Sequence, residues 1–223
     1  MRISTAALCA AIMCTSSAAL ADTAIALRGG TLGIGLDLDF GLTESLTLRV
    51  GYSGFNYDDT VDDSDVRYDG ELQLRNASAL LDWHAFGGGF RLSFGAFGAG
   101  SKVDVVGVPT GGTYEIGDDV FTAAQVGSLR GEIEFGNSVA PYVGIGWGNT
   151  VDPAERITFV FDIGAMYSGT PDVNLTAQCG VSVPTATCNR LATAVQEEED
   201  EIADEAGLYE WYPVISLGIA VRF

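Results

Sequence analysis

Residues 211–223 alternate strictly between apolar side chains and small or polar ones. Successive side chains of a strand point to opposite faces, so such a segment has one apolar face and one polar face. The apolar face is unbroken and ends on an aromatic: Trp211, Pro213, Ile215, Leu217, Ile219, Val221 and Phe223. A two-residue repeat of this kind is typical of a lipid-facing strand of a transmembrane barrel.

The same alternation recurs in seven further segments, at residues 32–40, 46–52, 68–83, 90–96, 129–135, 141–147 and 157–165. Eight segments of this length are enough for the smallest closed transmembrane barrel. The pattern therefore predicts an all-β protein that folds as a closed antiparallel transmembrane β-barrel of eight strands, with ten strands as the alternative.

Two local details accompany this count. The apolar face changes phase near Asn76, which predicts a β-bulge because one extra residue exchanges the two faces of a strand. Residues 136–138, Gly-Asn-Ser, predict a tight turn between two strands.

The connection lengths conflict with the simple count. With both termini periplasmic, the connections after the first, third and fifth strands should be long, yet those three are short and the stretches 58–67 and 101–122 are long. A short extra strand near residues 24–28, 103–108 or 173–177 would restore the parity.

The N-terminus indicates export. An apolar stretch from Ala6 to Met13 precedes Ala19-Leu20-Ala21, which fits the small-residue cleavage rule of a secretory signal peptide. No later stretch reaches the ~18 apolar residues of a transmembrane helix. We therefore expect a signal peptide at residues 1–21 and an outer-membrane β-barrel domain at residues 22–223, located in the outer membrane of a Gram-negative bacterium.

Charge excludes one class of partner. The chain has 11 Lys and Arg against 30 Asp and Glu, a formal net charge of -19. A nucleic acid is not an expected partner, because binding phosphate requires a basic face.

The charged residues within the predicted strands lie opposite the apolar face. A basic residue on the lipid side costs about 2 to 4 kcal/mol near the bilayer midplane, so these residues should point inward. The interior of an eight-stranded barrel is just wide enough for side chains to fill. We expect an ion-pair network that packs the lumen, with a narrow or gated conduit as the alternative. Its members would be Asp37, Asp39, Arg49, Glu71, Arg75, Arg91, Arg130, Glu132, Glu134, Asp162 and Arg222.

Cys179 and Cys188 remain after removal of the signal peptide. They close a short loop in a chain that passes through an oxidising compartment, so a disulfide that staples a long loop is the first interpretation. A metal site would need further ligands, and the single histidine, His84, is far away in sequence. No metal or other cofactor is expected.

Two acidic segments stand apart from the strand pattern. Residues 58–65 lack the glycine and bidentate glutamate spacing of a defined calcium loop, which favours a solvated acidic loop. Residues 197–205 follow Leu191, Ala194 and Val195, which together with Ile202 approximate a helical stripe. A short acidic helix before the last strand is predicted, packed across a barrel rim.

The chain resembles the small outer-membrane barrels of Gram-negative bacteria, the OmpA-like and OmpW-like class. More narrowly, Arg67-Tyr68-Asp69-Gly70 and the runs 141–148 and 211–223 are similar to a group of largely uncharacterised outer-membrane proteins. The resemblance spans nearly the whole chain after the signal. It implies that the barrel is surrounded by outer-membrane lipid. It also implies that the barrel-assembly machinery recognises the terminal strand, with Phe223 as the assembly signal. It brings no substrate and no catalytic residues.

Several functions are compatible with these features. A structural or interaction barrel has a closed lumen and uses its loops, whose partner is unknown. The second class is a narrow channel for ions or small hydrophobic solutes, as OmpW-like barrels are thought to be. The alternative at the level of the fold is a soluble secreted β-barrel binding protein. An enzyme is not expected, because no serine motif accompanies His84.

Overall fold

A computed structural model describes residues 22–62, 66–134, 136–207 and 210–223. The predicted signal peptide at 1–21 lies outside these residues. The strands are β1 Thr23–Gly30, β2 Gly33–Thr43, β3 Leu46–Asp62, β4 Val66–Trp83, β5 Phe90–Ala99, β6 Lys102–Pro109, β7 Thr113–Ile116, β8 Asp119–Thr122, β9 Val126–Glu134, β10 Val139–Trp147, β11 Ile157–Tyr167, β12 Asp172–Cys179 and β13 Trp211–Arg222. The helix α1 spans Thr185–Ala206.

Eight strands close into an antiparallel barrel in the order β1, β2, β3, β4, β5, β10, β11 and β13, and β13 pairs with β1. Closure leaves no free edge in this part of the sheet. The short connections β2–β3, β4–β5 and β10–β11 lie at the same end as both ends of the described chain, here called the turn end. The fold class predicted from the alternation is confirmed.

Beyond the opposite end, part of the wall continues as an open sheet, here called the extension. β6, β9 and β12 continue β5, β10 and β11, and the long strands β3 and β4 run through both parts, which gives the order β12-β9-β6-β4-β3. The hairpin β7–β8 connects β6 with β9. The segment 58–62, expected in a solvated loop, belongs to β3, and residues 63–65 lie outside the described part.

Most of the connection-length conflict disappears in this arrangement, although the two-residue β1–β2 turn, Thr31-Leu32, also lies at the extension end. The number eight was correct, but β1 is a barrel strand that the count left out, and β9 lies in the extension in line with β10. The turn predicted at residues 136–138 is therefore wrong, because this segment joins two collinear strands. The connections that start from β1, β3, β5 and β11 then lie at the extension end.

The bulge predicted near Asn76 is also wrong. The β3–β4 register is unbroken from Leu46↔Trp83 to Asp62↔Arg67. The change in the sequence pattern near Asn76 has another cause. The strand continues without a break, but at this point it passes from the barrel into the extension. Within the barrel the outer face of β4 is apolar and its inner face carries Asn76, Ser78 and Asp82 beside Leu80, whereas in the extension Leu72 and Leu74 lie on the continuation of the inner face.

The outer face of the barrel presents large apolar side chains on every strand. Their exposure ranges from 46% to 75% among the following residues, one from each barrel strand: Leu27, Ile34, Tyr52, Trp83, Phe94, Ile145, Phe159 and Leu217. This face is the one that the alternation assigned to lipid.

The helix α1 packs against β12 and the β7–β8 hairpin. Leu191, Ala194 and Val195 are buried against a cluster formed with Ile116, Phe121 and Val126. Cys179 at the end of β12 and Cys188 near the start of the helix form the predicted disulfide. Among the described residues, no helix has the length and apolar character needed to cross a membrane.

Candidate functional site: the barrel lumen

Six buried charges from six strands meet inside the barrel, toward the turn end. Three are arginines and three are aspartates, so their formal charges balance. Each is at most 8% exposed: Arg28, Asp37, Arg49, Asp82, Arg91 and Asp162. Burial of unpaired ions costs several kcal/mol each, so charges buried this deeply need partners.

Asp162 on β11 is the centre of this network because its carboxylate contacts all three guanidinium groups. Arg91 Nη2 donates to both carboxylate oxygens at 2.8 Å. Arg49 Nη1 lies 3.3 Å from Oδ2, and Arg28 Nη1 donates to the same oxygen. Removing this one carboxylate would therefore leave three arginines without their shared partner.

The other two aspartates extend the network around the lumen. Asp82 accepts from Arg49 Nη2 at 2.9 Å and from Ser93 Oγ at 2.5 Å. Asp37 pairs with Arg28 Nε, and Arg49 Nη1 lies 3.9 Å from its Oδ2. Arg49 thus contacts all three aspartates and ties strands on opposite sides of the barrel together.

Asp39 adds a seventh buried charge closer to the turn end. It is 1% exposed and stands opposite Arg49 in the β2–β3 register. Thr150, from the connection between β10 and β11, lies beside its carboxylate. Thr150 and Val151 of this connection are both buried.

A layer of apolar side chains fills the lumen on the extension side of the charges. Phe97 and Tyr142 meet edge to face with ring centroids 5.3 Å apart. The layer consists of Leu32, Leu80, Phe97, Ala140, Tyr142, Met166 and Val214, with Tyr212 packed against it.

Little space remains between the two layers. A cavity of about 50 Å³ is bounded by the charges Arg28, Asp37 and Arg49 on one side and by Phe97 and Tyr142 on the other. A cavity of this measure needs about 10 to 15 Å³ to hold one water molecule, so there is room for only a few waters.

Small residues make room for the charges. Gly51 faces the lumen from β3, and a Cβ there would collide with Oδ1 of Asp37 and lie 2.8 Å from Ser78 Oγ. The glycines that alternate with apolar residues along the strands therefore have a packing role on the inner face.

The structure brings five of the eleven predicted lumen residues together in the barrel interior: Asp37, Asp39, Arg49, Arg91 and Asp162. Arg222 lies at the turn-end rim, where it donates to the carbonyl of Pro153 and lies 3.6 Å from Asp22. The remaining five belong to the extension and do not line the barrel lumen: Glu71, Arg75, Arg130, Glu132 and Glu134. Their assignment to the lumen was wrong, because they lie on the face that continues the outer surface.

Sequence reasoning missed two members of the network. Asp82 precedes Trp83, whose outward position implies an inward Asp82 by simple alternation. Arg28 lies on β1, where Ile25 and Leu27 alternate with Ala24, Ala26 and Arg28 over a segment too short to stand out. Asp82 was recoverable from the alternation of β4 alone, and Arg28 once β1 was recognised as a strand.

The outer face of the extension is acidic. The pairings Asp58↔Glu71, Glu71↔Asp104 and Asp104↔Glu132 place four carboxylates in one row across β3, β4, β6 and β9. Lys102 Nζ lies 2.9 Å from Asp104 and 3.6 Å from Glu132, and its hydrogen bond to Asp104 raises the pKa of the Lys102 ammonium. In the described part of the chain, no group of three or more His, Cys, Asp or Glu side chains is placed to hold a metal ion.

Solved structures of other proteins share this fold. The crystal structure of CarO2 from Acinetobacter baumannii aligns with a TM-score of 0.61 and 24% identity, over 91% of this chain and 98% of that one. CarO from the same organism aligns with a TM-score of 0.60 and 21% identity over the same shares. A major outer membrane protein from Thermus thermophilus has 13% identity and a TM-score of 0.40 over 91% of this chain and 100% of that one, too low to support an inference. No protein-family model and no curated protein matches the chain. At these identities the likeness concerns the fold alone.

Proposed function

We propose that this protein is an integral outer-membrane barrel with a closed, charge-filled lumen, and that it acts through its extension in a structural or interaction role. The observation that carries the proposal is the pair of packed layers in the lumen, which leaves a cavity of about 50 Å³. Packing of this kind would leave a hydrated ion or solute no continuous path through the barrel.

The outer surface supports the membrane assignment. Soluble monomers rarely expose continuous apolar patches beyond a few hundred Å², whereas here every barrel strand presents large apolar side chains outward. Aromatic rings stand at both ends of this surface, Trp83 and Trp147 at the turn end and the Tyr167–Trp211 pair at the other. Aromatic girdles of this kind mark the two membrane interfaces of outer-membrane barrels.

The lengths of the connections support an orientation. Outer-membrane barrels have short periplasmic turns and longer extracellular segments. On this basis the turn end is periplasmic and the extension, with its helix and disulfide, is extracellular. An exposed five-stranded sheet that adds nothing to barrel closure is suited to contacts with other molecules.

Planar-bilayer conductance of the purified, refolded protein tests the closed lumen. We expect no stable conductance steps from the wild type. Arg49→Ala removes the side chain that contacts all three aspartates and should admit water and ions, whereas Arg130→Ala, in the extension, should remain silent. Stable steps from the wild-type protein would overturn the closed lumen and favour the narrow channel.

Cell fractionation tests the location. We expect the protein in the outer-membrane fraction, with migration in detergent gels that changes on heating, and a mature N-terminus at Asp22. Recovery as a soluble periplasmic protein would overturn the membrane assignment and favour the soluble binding protein.

A further inference from the structure

We propose that the free edge of the extension, residues 55–62 of β3, binds an extended cationic amphipathic peptide as an additional strand. The inference deepens the proposed interaction role of the extension and rests on it.

The two edges of the extension differ. At the β12 edge, Glu199 of α1 accepts a hydrogen bond of 2.6 Å from the backbone N–H of Leu175, and the Cys179–Cys188 disulfide ties the helix to the same strand. A helix that covers an edge prevents pairing with further strands. The β12 edge is therefore blocked.

Among the described residues, no helix covers the β3 edge. The β2–β3 pairing ends at Ile34↔Gly54, and from Phe55 onward β3 pairs with β4 alone, up to Asp62↔Arg67. Among the residues that the structure describes, no other strand pairs with this segment. Every second residue along it directs its N–H and C=O away from β4, and such a row can accept an added strand through main-chain hydrogen bonds.

The outer face beside this edge selects for positive charge. Asp58 begins the row of carboxylates that continues with Glu71, Asp104 and Glu132, and neighbouring strands are only about 4.8 Å apart. Lys102 lies beside Asp104 and Glu132, at the far side of the row from Asp58. Like charges placed opposite each other destabilise a sheet, so a Lys or Arg on an added strand opposite Asp58 would relieve repulsion.

The inner face beside the edge favours apolar side chains at three of its four positions; the fourth, Asp59, accepts a hydrogen bond from the Tyr57 hydroxyl at 3.2 Å. Phe55, Tyr57 and Val61 are 44%, 52% and 53% exposed, and the rings of Phe55 and Tyr57 stack with centroids 6.4 Å apart. A strand with basic residues on one side and apolar residues on the other matches both faces at once. Because strand side chains alternate, the matching ligand has a simple alternating sequence.

A second copy of the protein fits the edge poorly. Pairing of two β3 edges would bring together two segments that each contain Asp58 and Asp59, on a chain whose net charge is already -19. Electrostatic complementarity therefore favours a cationic peptide over self-association.

The test measures binding of a fluorescent peptide of alternating Lys and Val to the full-length mature protein in nanodiscs. Fluorescence anisotropy gives the affinity, and isotope-edited infrared spectroscopy reports whether the peptide joins a sheet. A peptide of alternating Glu and Val reverses the charge. A peptide N-methylated at alternate residues keeps charge and side chains but loses main-chain donors.

We expect the Lys-Val peptide to bind with a β signature, and both the reversed and the N-methylated peptides to bind about tenfold more weakly or worse. Asp58→Lys should weaken Lys-Val binding and strengthen Glu-Val binding. Asp200→Lys, the same charge change at an exposed position of α1, should have at most a small effect.

Three results would each overturn the inference. The N-methylated peptide could bind as well as the Lys-Val peptide, or Asp58→Lys and Asp200→Lys could lose the same amount of binding. The protein could also form a dimer whose stability changes in Asp58→Lys. Its failure is distinguishable from that of the proposed function. If the barrel shows no conductance and does not bind the peptide, only the edge site is refuted. If the barrel conducts ions and binds the peptide, only the closed lumen is refuted.

Discussion

Arg91 and Asp162 pair across an intervening strand. Arg91 lies on β5 and Asp162 on β11, and β10 runs between them, yet Arg91 Nη2 is 2.8 Å from both carboxylate oxygens. The pair passes over Gly146 of β10. A Cβ at this glycine would lie 2.7 Å from Asp162 Oδ1 and 2.9 Å from Arg91 Nε, so only glycine leaves room for the pair.

Gly146→Ala should therefore destabilise the barrel by about 1 to 3 kcal/mol, the usual cost of overpacking a buried site. Gly98→Ala is the matched control, because a Cβ at Gly98 meets nothing closer than 3.8 Å. Urea unfolding of the refolded protein in lipid vesicles measures both variants. Equal midpoints for the two would contradict the packing described for the charged layer.

Asp162→Asn should be more damaging. It removes the charge shared by Arg28, Arg49 and Arg91, and breaking a buried ion pair on one side costs about 3 to 5 kcal/mol. Adding Arg91→Met should restore part of the loss, since one of the unpaired charges is then removed. The same unfolding measurement gives the four corners of the double-mutant cycle, and simple additivity would argue against a coupled network.

Reduction of the disulfide should loosen α1 while the barrel stays folded. Cys179 and Cys188 are 9 residues apart, and closing so short a loop stabilises a structure by about 2 to 3 kcal/mol on chain entropy. We expect faster hydrogen exchange in Thr185–Ala206 after Cys179→Ser with Cys188→Ser, and unchanged exchange in β10 and β11. Unchanged protection of the helix would show that the packing of Leu191, Ala194 and Val195 holds it without the bond.

His84 predicts a pH dependence. It follows β4 in the turn, is 3% exposed, and its Nδ1 lies 3.1 Å from the carbonyl of Gly88. Burial lowers the pKa of His84 below its ordinary value of 6.5; the charge of Arg91 acts in the same direction, while Gly88 and Asp82 oppose it. The unfolded chain then binds more protons in the interval between the two pKa values, so stability falls as pH drops below about 6.5 and is retained above it.

His84→Gln should flatten the change in unfolding midpoint between about pH 5 and 7.5, because the chain has one histidine and few other groups titrate there. Carboxylate effects at lower pH should persist in the variant. An unaltered slope in this interval would show that His84 is not its source.

The terminal residue should matter for assembly more than its neighbour does. Phe223 is 69% exposed on the apolar outer face, whereas Arg222 is half-buried at the turn-end rim. Deletion of Phe223 should reduce the amount of protein in the outer membrane far more than Arg222→Lys, measured by fractionation and heat-dependent migration. Equal amounts of the deletion variant and the wild type would contradict an assembly role for Phe223.

The alternation in the sequence determined most of the local structure. It located the strands with strong two-residue repeats and assigned Leu217 and Phe159 to the outer face and Asp162 to the inner face. A helical stripe predicted the acidic helix, and the short spacing of the two cysteines predicted the pairing of Cys179 with Cys188. These features depend on neighbours along the chain, because strand periodicity is two and the cysteines are close in sequence.

Only the tertiary structure decided which face is which along a long strand. Leu72 and Asp82 lie on the same face of β4, yet Leu72 belongs to the extension and Asp82 to the barrel lumen. Alternation tells which residues share a face, but the environment of that face depends on where the closed barrel ends and on which strands lie beside it. For this reason the sequence pattern assigned β9 to the barrel and left β1 out. Barrel closure depends on pairings such as β1 with β13, which lie far apart along the chain.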